Sequence, residues 1–181
     1  MVVANSYLQE VYQNTPMGAA WFSWYDFPST DSVLIAGDVS ASAKEELAGR
    51  FTEVVLFNDW KSCESCSFSA ILICGGLGTR EDNEAFLYSA RMFLAEDGVL
   101  LWAADNKLGV RFLCGDVHFG DEGQFFTYEE WKGIFQQANM PVTSVYGLMP
   151  GWHLARNVFA DEWQLNSDNI GRLEFHYVKP D

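Results

Sequence analysis

Asp105, Asn106 and His118 are the side chains of this sequence best placed for catalysis, with His118 as the candidate base. Asp105 and Asn106 follow the apolar run "VLLWAA", at the end of an expected parallel strand, where α/β sheets place their sites. His118 lies further along the same loop. Its ordinary pKa, close to working pH, would let it take a proton from a hydroxyl such as that of a sugar. A solvated loop histidine is the plainer alternative. His153, in the turn-like "PGWHLAR", and His176, on an alternating run, are weaker candidates.

Two further constellations could carry chemistry. Cys63 and Cys66 form a Cys-x-x-Cys, and Cys114 with His118 would complete a four-ligand zinc set. Two loop thiols beside a buried cysteine are the simpler account, so no metal site is assigned. A thioredoxin-type role needs a helix starting at the first cysteine, and none is signalled at Cys63. "CGGLGT", residues 74–79, is a glycine-rich passage from strand to helix. Gly75 and Gly76 could bring a ligand or an anion against the backbone there, but the lysine of a phosphate loop is missing. Close packing is the alternative.

These residues need a scaffold. Short runs rich in Val, Ile and Leu predict strands at 33–36, 54–57, 70–74 and 99–103, apolar enough to be covered on both faces. Ser42 and Glu45 have capping-box spacing, as do Thr79 with Asp82 and Thr127 with Glu130. The second of these helices should bury Phe86, Ala90 and Phe93 and stop at Gly98; the third should bury Trp131, Ile134, Phe135 and Ala138 and end at Pro141. A helix is also expected over residues 5–14, ahead of the aromatic "MGAAWFSWYDFP". "VTSVYGL", "ARNVFA" and "RLEFHYV" are strand-like with no helix between them. The expected fold is α/β and Rossmann-like: a mostly parallel sheet, helices on both faces, antiparallel strands at the C-terminal end. One domain, 1–181, is expected, with 1–30 as a helical and aromatic extension.

The 25 acidic against 11 basic residues, a net charge of −14, exclude nucleic acid as an expected partner. No apolar run is long enough to enter a bilayer as a spanning helix. The start "MVVANSYLQEVYQ" lacks the pattern of a secretory signal, and four cysteines are too few for a disulfide scaffold, so a cytoplasmic setting is expected.

"LAEDGVLLWAADNKLGVRFLCG" resembles the later half of class I S-adenosylmethionine-dependent methyltransferases. The continuation, with Asn106-Lys107-Leu108-Gly109, "FTYEEWKGIFQQANM", and Tyr146 and Pro150 within "SVYGLMPGWHLARNVFADEW", resembles methyltransferase-like domains of bacterial surface-polysaccharide biosynthesis. The resemblance covers roughly residues 31–165. It implies cofactor contacts at Gly37, Asp38, Asn58, Asp59, Gly75 and Gly76. It also implies where the chain departs from the pattern. Val39 and Ala41 stand where the cofactor loop carries its second and third glycines, and Asp38 opposes a carboxylate. Asn58-Asp59 is equally ordinary turn chemistry. Residues 58–69 are too short for the helix, third strand and helix that a complete methyltransferase places there. S-adenosylmethionine is therefore expected to bind weakly or not at all, and any surviving crevice to be shallow, with Val39 as its plug. The expected function is a degenerate, non-catalytic scaffold or partner-binding domain of a glycan-modifying system. The alternatives are an active methyltransferase acting on a sugar hydroxyl or other small acceptor, and an acidic partner-binding protein using some of its seven tryptophans.

Overall fold

A computed structural model describes residues 22, 25–37, 39, 41–63, 67–107, 125–149, 157–160 and 172–178, with backbone alone for 42, 147–149 and the last two segments. Its strands are β1 (Ser32–Gly37), β2 (Glu53–Leu56), β3 (Phe68–Cys74), β4 (Leu94–Asp105), β5 (Ser144–Met149), β6 (Asn157–Ala160) and β7 (Arg172–Val178). The helices are α1 (Ala41–Arg50), α2 (Arg80–Phe93) and α3 (Tyr128–Gln137), with a 3₁₀ turn at Lys61–Cys63.

The seven strands form one sheet in the order β2-β1-β3-β4-β7-β5-β6. The first four are parallel, and β7, β5 and β6 join antiparallel. This is the expected architecture. Alternation along each central strand divides the core into two layers. Leu34, Ala36, Ile71, Ile73, Leu100 and Trp102 face α2 and α3, while Val33, Ile35, Ala70, Leu72, Val99 and Leu101 face α1 with Phe22, Phe27 and Phe51. The connection from β1 outward to β2 uses the α1 face. The return to β3 passes over the opposite face, where Trp60 and Cys63 pack. One connection running outward from β1 and the next running back past it on the opposite face are what right-handed crossovers require.

Local chemistry sets the helix ends. Both Thr79 with Asp82 and Thr127 with Glu130 form complete capping boxes. Ser42 with Glu45 does not: α1 already begins at Ala41, so Ser42 lies inside the helix rather than ahead of it. Gly98 does not stop α2 either. The helix ends at Phe93, Leu94 opens β4 directly, and Gly98 lies within that strand. Register explains its presence: Phe68 pairs with Leu94 but Ala70 with Val99, so residues 95–98 bulge opposite Ser69, with Asp97 at φ 57°. α3 ends before Pro141 is reached. Asn139 takes φ 56°, its N–H bonds the Gln136 carbonyl, and the Met140 N–H bonds that of Phe135, a Schellman closure. The helix expected at 5–14 lies outside the described residues.

Candidate functional site

The register brings the carboxyl ends of the parallel strands to one edge. Gly37 lies beside Cys74, Cys74 beside Ala103, and the Phe57 N–H extends the β1–β2 ladder to the Ile35 carbonyl at 2.8 Å. Gly37, Asn58, Gly75, Asp105 and Asn106 therefore share the edge at which an α/β sheet holds its ligands.

Gly37 is required for two physical reasons. Its φ of +84° is unfavourable for any residue with a Cβ, and a Cβ built there would lie 2.0 Å from the Cys74 carbonyl oxygen. The next described residue, Val39, is half-buried and packs against the α1-side core. That is a structural use for the residue expected to plug a crevice. Asp38 lies outside the described residues.

Asp59 is committed to the turn that follows β2. Its Oδ1 accepts the Ser62 N–H at 2.8 Å, and its carbonyl accepts the Ser62 hydroxyl at 2.7 Å and the Cys63 thiol at 3.7 Å. Asn58 is exposed. Cys63 is buried beneath this turn. Cys66, Cys114, His118 and His153 lie outside the described residues, as does the side chain of His176. Among the described residues no cluster of three His, Cys, Asp or Glu could hold a metal.

The loop after β3 is held from below. Gly75 donates its N–H to the Ala103 carbonyl at 2.8 Å, and its own carbonyl accepts the Trp102 indole N–H at 2.8 Å. A side chain on Gly75 would meet open space, and Gly76 is exposed. Asn83, fully buried on α2, fastens the rest: its Oδ1 accepts the Leu77 N–H at 3.0 Å, and its amide donates to the Gly78 and Thr79 carbonyls at 3.1 and 2.6 Å. Trp102 and Asn83 are site-shaping residues that sequence reasoning missed. The signal was there for Asn83, a polar residue at helical spacing with Phe86, Leu87 and Ala90 on the buried face of α2.

At the tip of β4, Asp105 is half-buried and Asn106 fully buried. Asn106 forms a parallel bridge with Phe126, and the Lys107 N–H bonds the Phe126 carbonyl at 3.0 Å, which brings the chain back to the sheet just before α3. The α2 and α3 N-termini meet their own carboxylates. The Thr79 hydroxyl and N–H hold the Asp82 carboxyl below its ordinary range, and the Thr127 N–H does the same for Glu130. Their exposed N–H groups are thus partly spent on caps rather than on a ligand.

No family model matches the chain, and no curated protein matches it in sequence. Solved structures do. The S-adenosylmethionine-dependent methyltransferase SibL, in its apo form, superposes with a TM-score of 0.63 at 12% identity, over 98% of this chain and 57% of that one. This chain thus spans little more than half of SibL. A possible histamine N-methyltransferase from Thermotoga maritima aligns at TM-score 0.58 and 15% identity, covering 97% and 95% of the two chains. The structure of a putative methyltransferase with its Trm112 activator from Haloferax volcanii gives 0.63 and 11%, covering 99% and 95%. The fold is that of the S-adenosylmethionine-dependent methyltransferases. On this methyltransferase fold, Gly37 and Gly75 fall at the ends of neighbouring central strands, β1 and β3. Between β2 and β3 the described residues form one 3₁₀ turn and no strand.

Proposed function

We propose that this methyltransferase-fold chain has lost the cofactor site of its structural relatives and works as a non-catalytic scaffold or partner-binding unit. The observation that carries this reading is the packing of Val39: its β-branched side chain lies against the α1-side layer, where the sequence resemblance expects a cofactor-loop glycine. S-adenosylmethionine fits the neighbouring residues poorly. The Cβ position of Gly37 is taken by the Cys74 carbonyl rather than left open to a ligand, and Asp59 is engaged by Ser62. The link from β2 to β3 holds one short turn at Lys61–Cys63 among the described residues, which gives an adenine ring little to lie against. The activator complex of the Haloferax volcanii neighbour gives partner binding a precedent on this fold. The resemblance of the 106–163 segment to methyltransferase-like domains of bacterial surface-polysaccharide biosynthesis makes a glycan-modifying system the setting we favour.

Calorimetric titration with S-adenosylmethionine tests this. No heat of binding is expected, and a low-micromolar dissociation constant would overturn the reading. A Val39→Gly/Ala41→Gly double variant that gains measurable binding would identify the loop as the lesion. A second reading, an active methyltransferase acting on a sugar hydroxyl with His118 as the proton acceptor and Asp105 and Asn106 beside the acceptor, draws on the left-handed Gly37 and the open space above Gly75. It would be favoured by tight cofactor binding in the same titration.

A further inference from the structure

We propose that the outer edge of β2 is a docking strand for an extended, basic segment of a partner protein. β2 ends the sheet among the described residues. The Glu53 N–H bonds the Asp31 carbonyl at 3.0 Å and the Phe57 N–H bonds that of Ile35 at 2.8 Å, so residues 53, 55 and 57 turn their backbone groups toward β1. Alternation then directs the N–H and C=O groups of Val54 and Leu56 outward.

The side chains of β2 are those of an interior strand. Val54 packs on the α1 side, Val55 and Phe57 pack on the α2 side beside Trp60, and Leu56 is 46% exposed. Natural edges are blunted by lysine, proline or a bulge. β2 carries a single charge, Glu53, at its first residue. A strand laid along this edge would pair the outward backbone groups and cover Leu56, which is how proteins capture extended peptides.

Charge selects the occupant. Asp31 and Glu53 are exposed at one end of the edge and Asp59 at the other, with Lys61 the one cation in the following turn. A net charge of −14 sets two copies of the chain against each other. A basic segment with alternating apolar residues answers both features. This inference rests on the partner-binding half of the reading above and is independent of the cofactor loop.

The test uses the purified full chain and a nine-residue peptide of alternating lysine and valine. Leu56→Pro deletes an outward donor and leaves the β1 ladder intact, since edge positions whose N–H faces away tolerate proline. Leu56→Ala keeps the donor. The peptide should bind the wild type and Leu56→Ala, and bind Leu56→Pro roughly tenfold more weakly, as loss of a ladder hydrogen bond implies. Should Leu56→Pro not fold, a peptide N-methylated at alternate residues should show the same roughly tenfold loss on the wild type. Three results would overturn the proposal: no binding, equal binding by Leu56→Pro or the methylated peptide, or equal binding of a glutamate–valine peptide. A concentration-dependent dimer in sedimentation, lost in Leu56→Pro, would also overturn it by seating a second copy on the edge. Cofactor binding with an unchanged peptide result would reject the non-catalytic reading alone.

Discussion

Gly37 illustrates how one residue can be fixed by backbone geometry whether or not a ligand follows. Its left-handed φ and the Cys74 carbonyl both exclude a Cβ. Gly37→Ala is expected to destabilise the fold by at least about 2 kcal/mol, the left-handed penalty plus displacement of β3. Chemical denaturation should show a lower midpoint at unchanged slope, and a midpoint equal to wild type would mean that β1 and β3 separate freely there. Sequence made this glycine legible because an apolar strand ended on it. It could not show that Trp102, 27 residues further along the chain and on another strand, ties down the Gly75 carbonyl. Such a bond depends on the strand register, and single-sequence periodicity does not supply register. Asp59 was legible only as a choice between ribose ligand and turn. The Ser62 amide engages it in the turn.

Helices α2 and α3 have matching starts, each a threonine reciprocally bonded to a carboxylate three residues on. Thr79→Ala and Thr127→Ala should each cost about 1 kcal/mol. The folded-state pKa values of Asp82 and Glu130 are lowered, first by the Thr79 side chain and by the Thr127 backbone respectively. Their contribution to stability is therefore fully present above the ordinary values of 3.8 and 4.5, and is lost as pH falls through the lowered folded values. Glu46, raised chiefly by burial and lowered in part by Arg50, acts in the opposite sense: it favours the fold at low pH and loses that contribution as pH rises through its raised value. Melting temperatures recorded from pH 7 downward should show the gap between wild type and Thr79→Ala closing in acid, and the gap for Thr127→Ala changing less, because that variant keeps the backbone N–H that holds Glu130. A Thr79→Ala gap that stays constant would place the cap energy in the bond from the Asp82 N–H to the hydroxyl alone. These two boxes could be seen in advance because they are local. The spacing of Ser42 and Glu45 was the same, yet α1 starts one residue earlier.

At the scale of the whole molecule, the parallel half and the antiparallel finish of the sheet followed from the order of apolar runs, since unbroken runs demand cover on both faces. The order of strands was not contained in those runs. It arises from opposite-face crossovers around β1, and it leaves β2 outermost among the described strands. Likeness to methyltransferases at 11–15% identity carries the fold across without carrying the site. The candidate site was harder to foresee for the same reason: its shape is set in large part by Asn83 and Trp102, and neither belongs to the residue types that announce chemistry.

The aromatic layer beneath the β3–α2 loop has an optical consequence. The Trp102 and Trp131 rings lie 4.9 Å apart at 56° to one another. Two indoles this close and this oblique couple their electronic transitions, so the native protein should carry an exciton couplet in its ultraviolet circular dichroism. Trp131→Phe should abolish the couplet while the backbone signal persists. A couplet that survives the substitution would have to come from another tryptophan pair. The signal originates between β4 and α3, so it would report the closing of that layer during refolding, separately from the formation of the helices themselves.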